Sequence, residues 1–398
     1  MPVNQFLQAS AHFHASHLAP VIAFFSASQN ESTRLSHPQI QLRRDLIAIL
    51  VASYLAYSGL KKRSLSLSGA ISAFIVGYAS LSSTICSFGV MLIVFYLSGS
   101  KATKVRLCIF LESSTQLNSN KVKHYVKAQL EDGHDSEKPG GVRNWLQVLA
   151  NSYTGAICAI IYRVQHVIIT PADITDTSEC ILHSSVYISS QTLLLMALGH
   201  YACCSADTLA SELGILSGNF PRLVTNPSKT VPPGTNGGVS CECALLQCDN
   251  NSFDSAFGVV VSGAGGLLIG LTAVISLAIE DSSCFGQNFS FGQALISFTS
   301  AKLLLLSVFS GLFGSLLDSL IGATLQRTLL HKERGKILTD GSDPAFARMY
   351  DEARRSKSKE TAEVKLISGF NLFSNTQVNF FSSLFTALLT AVIGNLLL

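Results

Sequence analysis

The sequence predicts an all-α membrane protein, a multi-pass transmembrane bundle of seven or eight helices, from three observations. Of the 398 residues, 48% are hydrophobic and only 13% are charged, whereas a soluble domain carries about 25% charged residues. Apolar stretches close to the length of a spanning helix recur along the chain, and the charged residues cluster between them. The formal net charge of +3 is too small to indicate a nucleic-acid partner.

The apolar stretches give the individual spans. A spanning helix needs about 20 apolar residues, with about 17 as a working minimum. The stretches that approach this length lie at residues 45–60, 68–82, 84–98, 145–161, 184–204, 257–279, part of 291–325, and 378–398. The second and third are short and close together, so they predict either a tight hairpin or one long bent helix. Residues 43–398 therefore form the predicted membrane domain, and residues 1–42 a variable tail that is expected to be disordered.

Clustered charges orient these spans. The segments 101–143 and 326–365 hold eight and ten Lys or Arg residues, whereas 164–183 and 280–291 hold none. Lys and Arg are enriched in cytosolic loops. The loops predicted to be cytosolic are therefore residues 100–143, 205–252 and 326–376. Arg34, Arg43 and Arg44 fall on the opposite face in this scheme, and moving one span boundary near the N-terminus would remove the conflict.

Three sequons for N-glycosylation test this orientation. They begin at Asn30, Asn250 and Asn288. The scheme places Asn30 and Asn288 on the lumenal face and predicts that Asn250 is not modified.

The ten cysteines show no spacing that is typical of a disulfide framework. Cys241, Cys243 and Cys248 form a C-x-C-x4-C group without a nearby histidine. We interpret them as loop thiols rather than as a metal site.

Asp207 follows one expected span directly, in the segment CCSADTLASELG. Ala210, Ser211 and Gly214 come three, four and seven residues later, so they share its face if the helix continues. Glu212 lies about 140° away at 3.6 residues per turn and need not join them. The small residues beside Asp207 would let a bulky ligand approach its carboxylate.

Asp318 is the second candidate acid, in the segment GLFGSLLDSLIGATLQ. Its neighbours include Leu316, Leu317, Leu320 and Ile321, and no basic residue lies within one helical turn. An ionisable residue at membrane depth is costly and indicates a functional site. The alternative is a solvated helix end, which would not need such apolar flanks.

Between the two acids lies a segment rich in proline, glycine and polar residues. Proline and glycine prevent a regular helix here and allow positive φ angles. Successive backbone N–H groups in such a loop can hold an anion, and a lysine adds a point charge for phosphate. The candidate residues are Arg222, Lys229, Thr230, Gly234, Thr235, Asn236, Gly237 and Gly238. With two acids at a membrane face, this pattern favours a site for phosphate and Mg²⁺, an ion held by one or two carboxylates plus substrate phosphates.

Several sequence blocks resemble the transmembrane protein 19 family, over about residues 43–395. The blocks are SGLKKRSLSLSGAISAFIVGY, SGSKATK, RNWLQVLANS, CCSADTLASELG, PRLVTNPSKTVPPGTNGGVS, GLFGSLLDSLIGATLQ and NTQVNFFSS. The family is similar to plant phytyl-phosphate kinase and, more distantly, to dolichol kinase, phytol kinase and CDP-diacylglycerol synthase. In NTQVNFFSS the sequence departs from its relatives, which tend to carry an acidic residue before the asparagine, and this weakens a role for Asn375 or Asn379.

The resemblance carries over residue by residue. The enzymes that use CTP share an acidic residue, an A-x-x-x-G turn, a Lys-Ser/Thr pair and a following glycine. The matching positions here are Asp207, Ala210 with Gly214, Lys229 with Thr230, and Gly234, and Asp318-Ser319 resembles a later acid-Ser pair.

This resemblance implies phosphoryl transfer from CTP, or another nucleoside triphosphate, to an isoprenoid alcohol or a prenyl monophosphate. Asp207 and Asp318 would hold Mg²⁺ and act with Lys229 in catalysis, and Lys229, Thr230 and the backbone of 234–238 would hold phosphates. Arg143 and Arg222 are candidates for the acceptor's phosphate. The implied partners are the bilayer, an isoprenoid lipid and a nucleotide, and the implied location is the endoplasmic reticulum or another endomembrane.

Two other classes of function stay open. A transporter of an amphipathic anion could use acids at depth as an ion relay, but the sequence shows no inverted repeat. A noncatalytic membrane scaffold would leave Asp318 and the segment around Lys229 unexplained.

Overall fold

The computed structural model describes residues 37–116, 142–169, 180, 188–214, 220–239, 257–286, 290–332, 336–338, 348 and 364–398. Three sets of expectations lie outside these residues: those for the tail before residue 37, for the thiols Cys241, Cys243 and Cys248, and for the sequons Asn30, Asn250 and Asn288. The first helix begins at His37, inside the segment expected to be tail.

The described chain is mostly helical. The helices are α1 His37–Lys61, α2 Leu67–Leu81, α3 Ser87–Gln116, α4 Trp145–Ala150, α5 Tyr153–Arg163, α6 Ser190–Leu213, α7 Phe257–Glu280, α8 Phe291–Leu295, α9 Phe298–Leu325 and α10 Asn375–Leu397. A π-helical stretch Val164–Ile169 extends α5, and a 3₁₀ turn Ser282–Phe285 follows α7. Five of the described helices, α3, α6, α7, α9 and α10, are long and apolar enough to cross a membrane, and α2 is a shorter apolar helix. A multi-pass helical membrane protein is therefore confirmed.

Polar residues at the helix starts explain several of these boundaries. Ser66 accepts a hydrogen bond from the amide of Gly69 at the start of α2. Asn144 and Gln147 form a reciprocal capping box at α4, and Ser374 and Gln377 form another at α10. Each cap satisfies amide groups that have no partner within the helix. These helices therefore begin where the sequence offers a capping side chain.

Two small antiparallel sheets correct the all-α prediction. The first has the order β2-β1-β3, from β1 Arg222–Leu223, β2 Asn226–Thr230 and β3 Gly238–Val239. The second has the order β5-β4-β6, from β4 Thr328–His331, β5 Lys336–Leu338 and β6 Val364–Ser368. Strands of two to five residues are too short to leave a period-two pattern in the sequence.

The core is built around α6, which packs against α3, α5, α7, α9 and α10. Tyr201, Leu198 and His200 of α6 are fully buried, as is Tyr162 of α5. The most buried span of the bundle is thus the one that carries Asp207 near its end.

One end of the bundle is held together by polar contacts and a disulfide bond, and we call it the disulfide end. Cys180, before α6, is bonded to Cys284, after α7. The cysteine spacing predicted no disulfide framework. This prediction is wrong for Cys180 and Cys284, because the fold brings together residues 104 positions apart.

Arg44, one of the arginines on the unexpected face, also lies at the disulfide end. Arg44 donates a hydrogen bond to the carbonyl oxygen of Thr84. Nearby, Arg163 forms an ion pair with Asp45, at 2.9 Å between Nη1 and Oδ1. Glu280 accepts hydrogen bonds from the backbone of Cys86 and, at 3.0 Å, from the Ser87 hydroxyl. These charged groups are bonded within the protein, so they need not follow the charge bias of free loops.

Candidate functional site

Asp207 lies within α6 and not after it. The helix continues to Leu213, so the small residues Ala210 and Ser211 do follow Asp207 on the same helix. Asp207 is half-buried. The residue before it, Ala206, packs against α9, since a Cβ atom on Gly311 would lie 3.2 Å from the Cβ of Ala206. The sequence thus places a carboxylate beside a close contact between α6 and α9.

Asp318 lies two turns further along α9, and it is also half-buried. Its Oδ2 atom accepts a hydrogen bond of 2.8 Å from the hydroxyl of Ser382 on α10. Asp318 lies close enough to Asp207 for the two carboxylates to interact across the contact between α6 and α9. We call Asp207 and Asp318 the aspartate pair. Because three helices converge on it, the pair is fixed by the core of the bundle and not by a loop.

The Pro-Gly loop, residues 232–238, packs directly beside Asp318. Its backbone has positive φ at Gly234 and Gly237, with values of 85° and 73°. A Cβ atom on Gly237 would lie 2.6 Å from the backbone oxygen of Ser319 and 2.3 Å from the Cβ of Ala323. Only glycine fits this approach at this φ without strain. Asp207, Asp318 and the Pro-Gly loop therefore lie at the same end of the bundle, which we call the site end.

The loop is stabilised by its own residues. The Thr235 hydroxyl donates to the carbonyl oxygen of Pro232 at 2.7 Å, and the Gly238 amide donates to the carbonyl oxygen of Thr235 at 2.9 Å. Asn236 lies against Gly322 of α9. The loop residues expected to hold phosphate thus form one compact turn on α9.

The other expected residues lie on the sheets and at the start of α4. Lys229 is exposed, and its Nζ atom donates to the carbonyl oxygen of Ile367 at 2.8 Å, which joins the two sheets. Thr230 pairs with Arg222 across the hairpin, and Arg222 Nη1 donates to the carbonyl oxygen of Pro227 at 3.0 Å. In this arrangement Lys229 bonds to β6 rather than to the aspartate pair. Its catalytic role, and the phosphate roles of Thr230 and Arg222, stay predictions.

Arg143 lies beside the turn that follows α1. Its amide donates to the carbonyl oxygen of Ser64 at 3.1 Å, and its carbonyl oxygen accepts from the amide of Ser66 at 3.0 Å. These bonds hold the segment before α4 against the start of α2. Its role toward an acceptor phosphate also stays a prediction.

Sequence reasoning missed two polar residues near the aspartate pair and gave a third only a weakened role. The missed residues are Ser382, which donates to Asp318, and Asn151, between α4 and α5, and the weakened one is Asn379, one turn before Ser382 on α10. Asn379 Nδ2 donates to Asn151 Oδ1 at 3.4 Å, and the backbone oxygen of Asn379 accepts from Ser382 at 3.2 Å. The signal was present, because all three residues lie in the blocks RNWLQVLANS and NTQVNFFSS.

The carboxylates of the aspartate pair and the Ser382 hydroxyl offer oxygen donors, which suit a hard cation such as Mg²⁺. Asn379 lies one turn before Ser382 on α10, and its side-chain amide bonds to Asn151. Where the structure describes the chain, the one tight cluster of three potential metal ligands is Cys180, Asp281 and Cys284. Its sulfur atoms are bonded to each other, so it is not a metal site.

The helical bundle and its half-buried acids define a multi-pass helical membrane protein with a polar site at one end. The chain belongs to the family described as integral membrane protein DUF92, whose model matches residues 50–247 and 254–387. It is 31% identical over 355 residues to Protein PGR of Arabidopsis thaliana, covering 89% of this chain and 96% of that protein. It is also 31% identical over 134 residues to an uncharacterized membrane protein of Methanocaldococcus jannaschii, covering 34% of this chain and 41% of that one. No solved structure matches the chain.

Proposed function

We propose that this protein is a membrane phosphotransferase that moves a phosphoryl group from a nucleoside triphosphate to an isoprenoid lipid. The convergence of Asp207, Asp318 and the Pro-Gly loop at one end of the bundle carries this proposal. Residues more than a hundred positions apart in the sequence meet there, and they are the types that phosphoryl transfer requires. The resemblance to enzymes that use CTP favours CTP as the donor.

Phosphoryl transfer asks a protein mainly for positioning and for neutralisation of charge. Asp207 and Asp318 would hold Mg²⁺, and Ser382 orients the Asp318 carboxylate through its hydrogen bond. When bound, the ion neutralises charge on the phosphate oxygens of the donor. Backbone N–H groups of the Pro-Gly loop would hold the phosphates, with Lys229 and Thr230 on the adjoining strand.

The reaction balances without a further reactant. An acceptor oxygen forms a bond to the γ-phosphorus, the bond from that phosphorus to the β–γ bridging oxygen breaks, and a nucleoside diphosphate leaves. An alcohol acceptor also releases its hydroxyl proton, whereas a monophosphate acceptor attacks with an oxygen that is already ionised. A diphosphate of the lipid results in the second case.

The orientation of the bundle supports a nucleotide donor. Successive helices alternate in direction, and the site end carries the turn after α1 with its three basic residues Lys61, Lys62 and Arg63. The disulfide end carries Cys180 and Cys284, and disulfide bonds persist in oxidising compartments. The basic turn and the disulfide bond both agree with seven or eight spans, if α1 and the segment α4–α5 are counted as spans. They also agree with an endomembrane location, such as the endoplasmic reticulum, in which the site end faces the cytosol.

The proposal is tested with purified protein in lipid nanodiscs. Labelled CTP or ATP is incubated with a panel of prenyl alcohols and prenyl monophosphates, with Mg²⁺ or with a chelator. We expect label in a prenyl phosphate or diphosphate, only with Mg²⁺, and loss of that product in Asp207→Asn. Asp45→Asn is the matched control, because its carboxylate lies at the disulfide end and pairs with Arg163.

The same preparation tests the remaining classes of function. Protein with full thermal stability that transfers no label to any acceptor would overturn the proposal. Flux of a prenyl phosphate across a sealed vesicle, without turnover of nucleotide, would instead establish an anion transporter. A scaffold would give neither signal.

A further inference from the structure

A groove lies between α1, α2 and α3. Apolar side chains form most of its wall, among them Leu55, Val76, Leu92 and Phe95. Its volume is about 80 Å³, and it is partly open. A buried water molecule needs two to four polar partners, and the apolar wall does not provide them. The groove therefore suits a hydrocarbon chain better than it suits water.

Polar residues line the groove at one end, and this end is the site end. Arg143, Gln147, Asn151 and Ser152 come from the segment before α4 and from the start of the α4–α5 pair. Arg143 brings a positive charge to this end, whereas Leu81, at the far end of α2, closes the opposite part. One wall runs along α2 from Ala73 to Leu81, about 12 Å at 1.5 Å per residue. The groove thus has the polarity of an anionic lipid, with a place for the head group at the site end.

The polar end of the groove is continuous with the aspartate pair. The Asn151 side chain accepts from Asn379 at 3.4 Å, and Asn379 lies one turn before Ser382 on α10. Ser382 in turn donates to Asp318 at 2.8 Å. A lipid head group held at Arg143 and Asn151 would therefore lie next to the proposed phosphoryl donor, with its chain directed away along α2.

The outer surfaces of α1 and α2 explain how such a lipid would enter. Leu50, Tyr54 and Tyr57 of α1 and Ile71 and Ile75 of α2 are exposed apolar side chains. In a membrane these side chains face lipid. A lipid molecule can thus reach the groove from the bilayer and need not cross the aqueous phase.

We propose that this groove binds the apolar chain of the acceptor and that Arg143 and Asn151 bind its monophosphate head. This inference rests on the proposed function and adds to it the place of the acceptor in the fold. The chain of the acceptor lies in the α1–α2–α3 groove, and its head lies at the polar end of that groove.

Photolabelling tests the groove without any need for turnover. The probe is a long-chain prenyl monophosphate that carries a diazirine on its chain, in phosphatidylcholine nanodiscs, and labelled peptides are mapped by mass spectrometry. We expect labels on α2 and α3 around Val76 and Leu92, competed by unlabelled long-chain monophosphate and not by its short-chain analogue. Labels confined to the exposed faces of α1 and α2, or competition by phosphatidylcholine alone, would overturn the proposal.

Two variants of neighbouring residues sharpen this test. Val76→Phe fills the groove, whereas Ile75→Phe adds the same ring to a side chain that is 58% exposed. We expect Val76→Phe to lower groove labelling about tenfold, because a filled volume excludes the chain, and Ile75→Phe to leave it unchanged. Equal labelling in both variants contradicts the groove. The competition by chain length uses the unaltered protein, so it decides the question even if Val76→Phe fails to fold.

The head group is tested at Arg143. Arg143→Ala should weaken binding of the monophosphate but not of the alcohol with the same chain, and Arg143→Lys should restore it. Equal loss for both ligands would show that Arg143 only holds the fold, and would overturn its role in binding the head group. Groove labelling without phosphoryl transfer would leave the lipid site standing and reject the phosphotransferase. Phosphoryl transfer that depends neither on the chain length of the acceptor nor on Val76→Phe would support the phosphotransferase and reject the lipid site.

Discussion

At the scale of single residues, Asp207 and Asp318 are half-buried in a bundle whose other membrane-embedded residues are mostly apolar. Such carboxylates are expensive to place at this depth, and residues of this kind mark functional sites. Asp318 keeps one protein partner, the Ser382 hydroxyl. A carboxylate that binds a metal ion needs only a hydrogen bond of this kind to hold it in place. A carboxylate that served the fold alone would be paired with a cation, as Asp45 is with Arg163.

Replacing Asp318 by asparagine separates chemistry from architecture. The amide keeps the shape and can still accept from Ser382, but it removes the charge that a divalent ion requires. We expect a loss of Mg²⁺-dependent transfer on the order of 10²-fold or more, the size seen when a preorganised electrostatic contact is lost. Thermal stability should stay at the level of the unaltered protein.

Activity and thermal stability are measured on one preparation, with Mg²⁺ varied. A large fall in stability would mean that Asp318 is a structural residue. Normal turnover at ordinary Mg²⁺ would remove it from the proposed metal site.

Ser382→Ala tests how the Asp318 carboxylate is held. Without the 2.8 Å hydrogen bond from Ser382, the carboxylate loses its fixed orientation. Loss of such an outer contact lowers metal affinity by about 10- to 100-fold, so the Mg²⁺ concentration for half-maximal activity should rise by that factor. Ser383→Ala is the matched control, since the Ser383 hydroxyl donates to the carbonyl oxygen of Asn379. An equal shift in both variants would argue against a specific role for Ser382.

At the scale of elements, the position of the aspartate pair depends on how closely α6, α7 and α9 approach. Gly311 of α9 lies against Gly266 of α7 and against Ala206, the neighbour of Asp207, and a Cβ atom there would be 2.9 Å from the Cα of Gly266. Small residues at helix crossings allow membrane helices to pack at short distance. The spacing of the aspartate pair is therefore set by a residue that has no polar side chain.

Gly311→Ala should push α9 away from α6 and α7. Overpacking of this kind costs about 1–3 kcal/mol, so we expect a lower melting temperature together with reduced transfer. Gly263→Ala on α7 is the control, because its Cβ atom would meet only Leu312, at an ordinary 3.7 Å. Unchanged melting and activity in Gly311→Ala would show that the helices can adjust to one methyl group without moving the aspartate pair.

Sequence reasoning located most of the helices and both members of the aspartate pair, for physical reasons. A span of apolar residues is a local property, and an acid such as Asp318 stands out against it. The Pro-Gly loop could be located because proline and glycine act on their own backbone, although its docking on α9 could not. The short strands, the Cys180–Cys284 bond and the hydrogen bond from Ser382 to Asp318 depend on contacts between distant segments. Such contacts leave no periodic pattern in one sequence.

At the scale of the whole molecule, the bundle has two chemically different ends. The disulfide end holds a covalent cross-link and internally paired charges, whereas the site end holds the aspartate pair, the Pro-Gly loop and the polar mouth of the groove. This asymmetry predicts a fixed orientation in the membrane, with the site end toward the nucleotide pool of the cytosol.

Glycosylation reports that orientation directly. We expect Asn288, close in sequence to Cys284, to accept a glycan when the protein is made in a secretory system, and Asn250 to stay unmodified. The measurement is the mobility shift on glycosidase treatment of Asn250→Gln and Asn288→Gln variants. A glycan on Asn250 would reverse the bundle and remove the argument for a cytosolic nucleotide.

The bond between Cys180 and Cys284 also makes the chain tolerant of a break in its backbone. It closes a loop of 104 residues that contains α6 and α7, and the family match pauses between residues 247 and 254, inside that loop. A protease site inserted at residue 250 would give two pieces, one with Cys180 and Asp207, the other with Cys284 and Asp318. We expect a single band in gels without reductant and two bands with it, and we expect the nicked protein to keep both halves of its site assembled. Two bands without reductant would contradict the cross-link. The two halves of the site are thus joined covalently in two independent ways, by the backbone and by the disulfide bond. The site can stay assembled when either connection is broken.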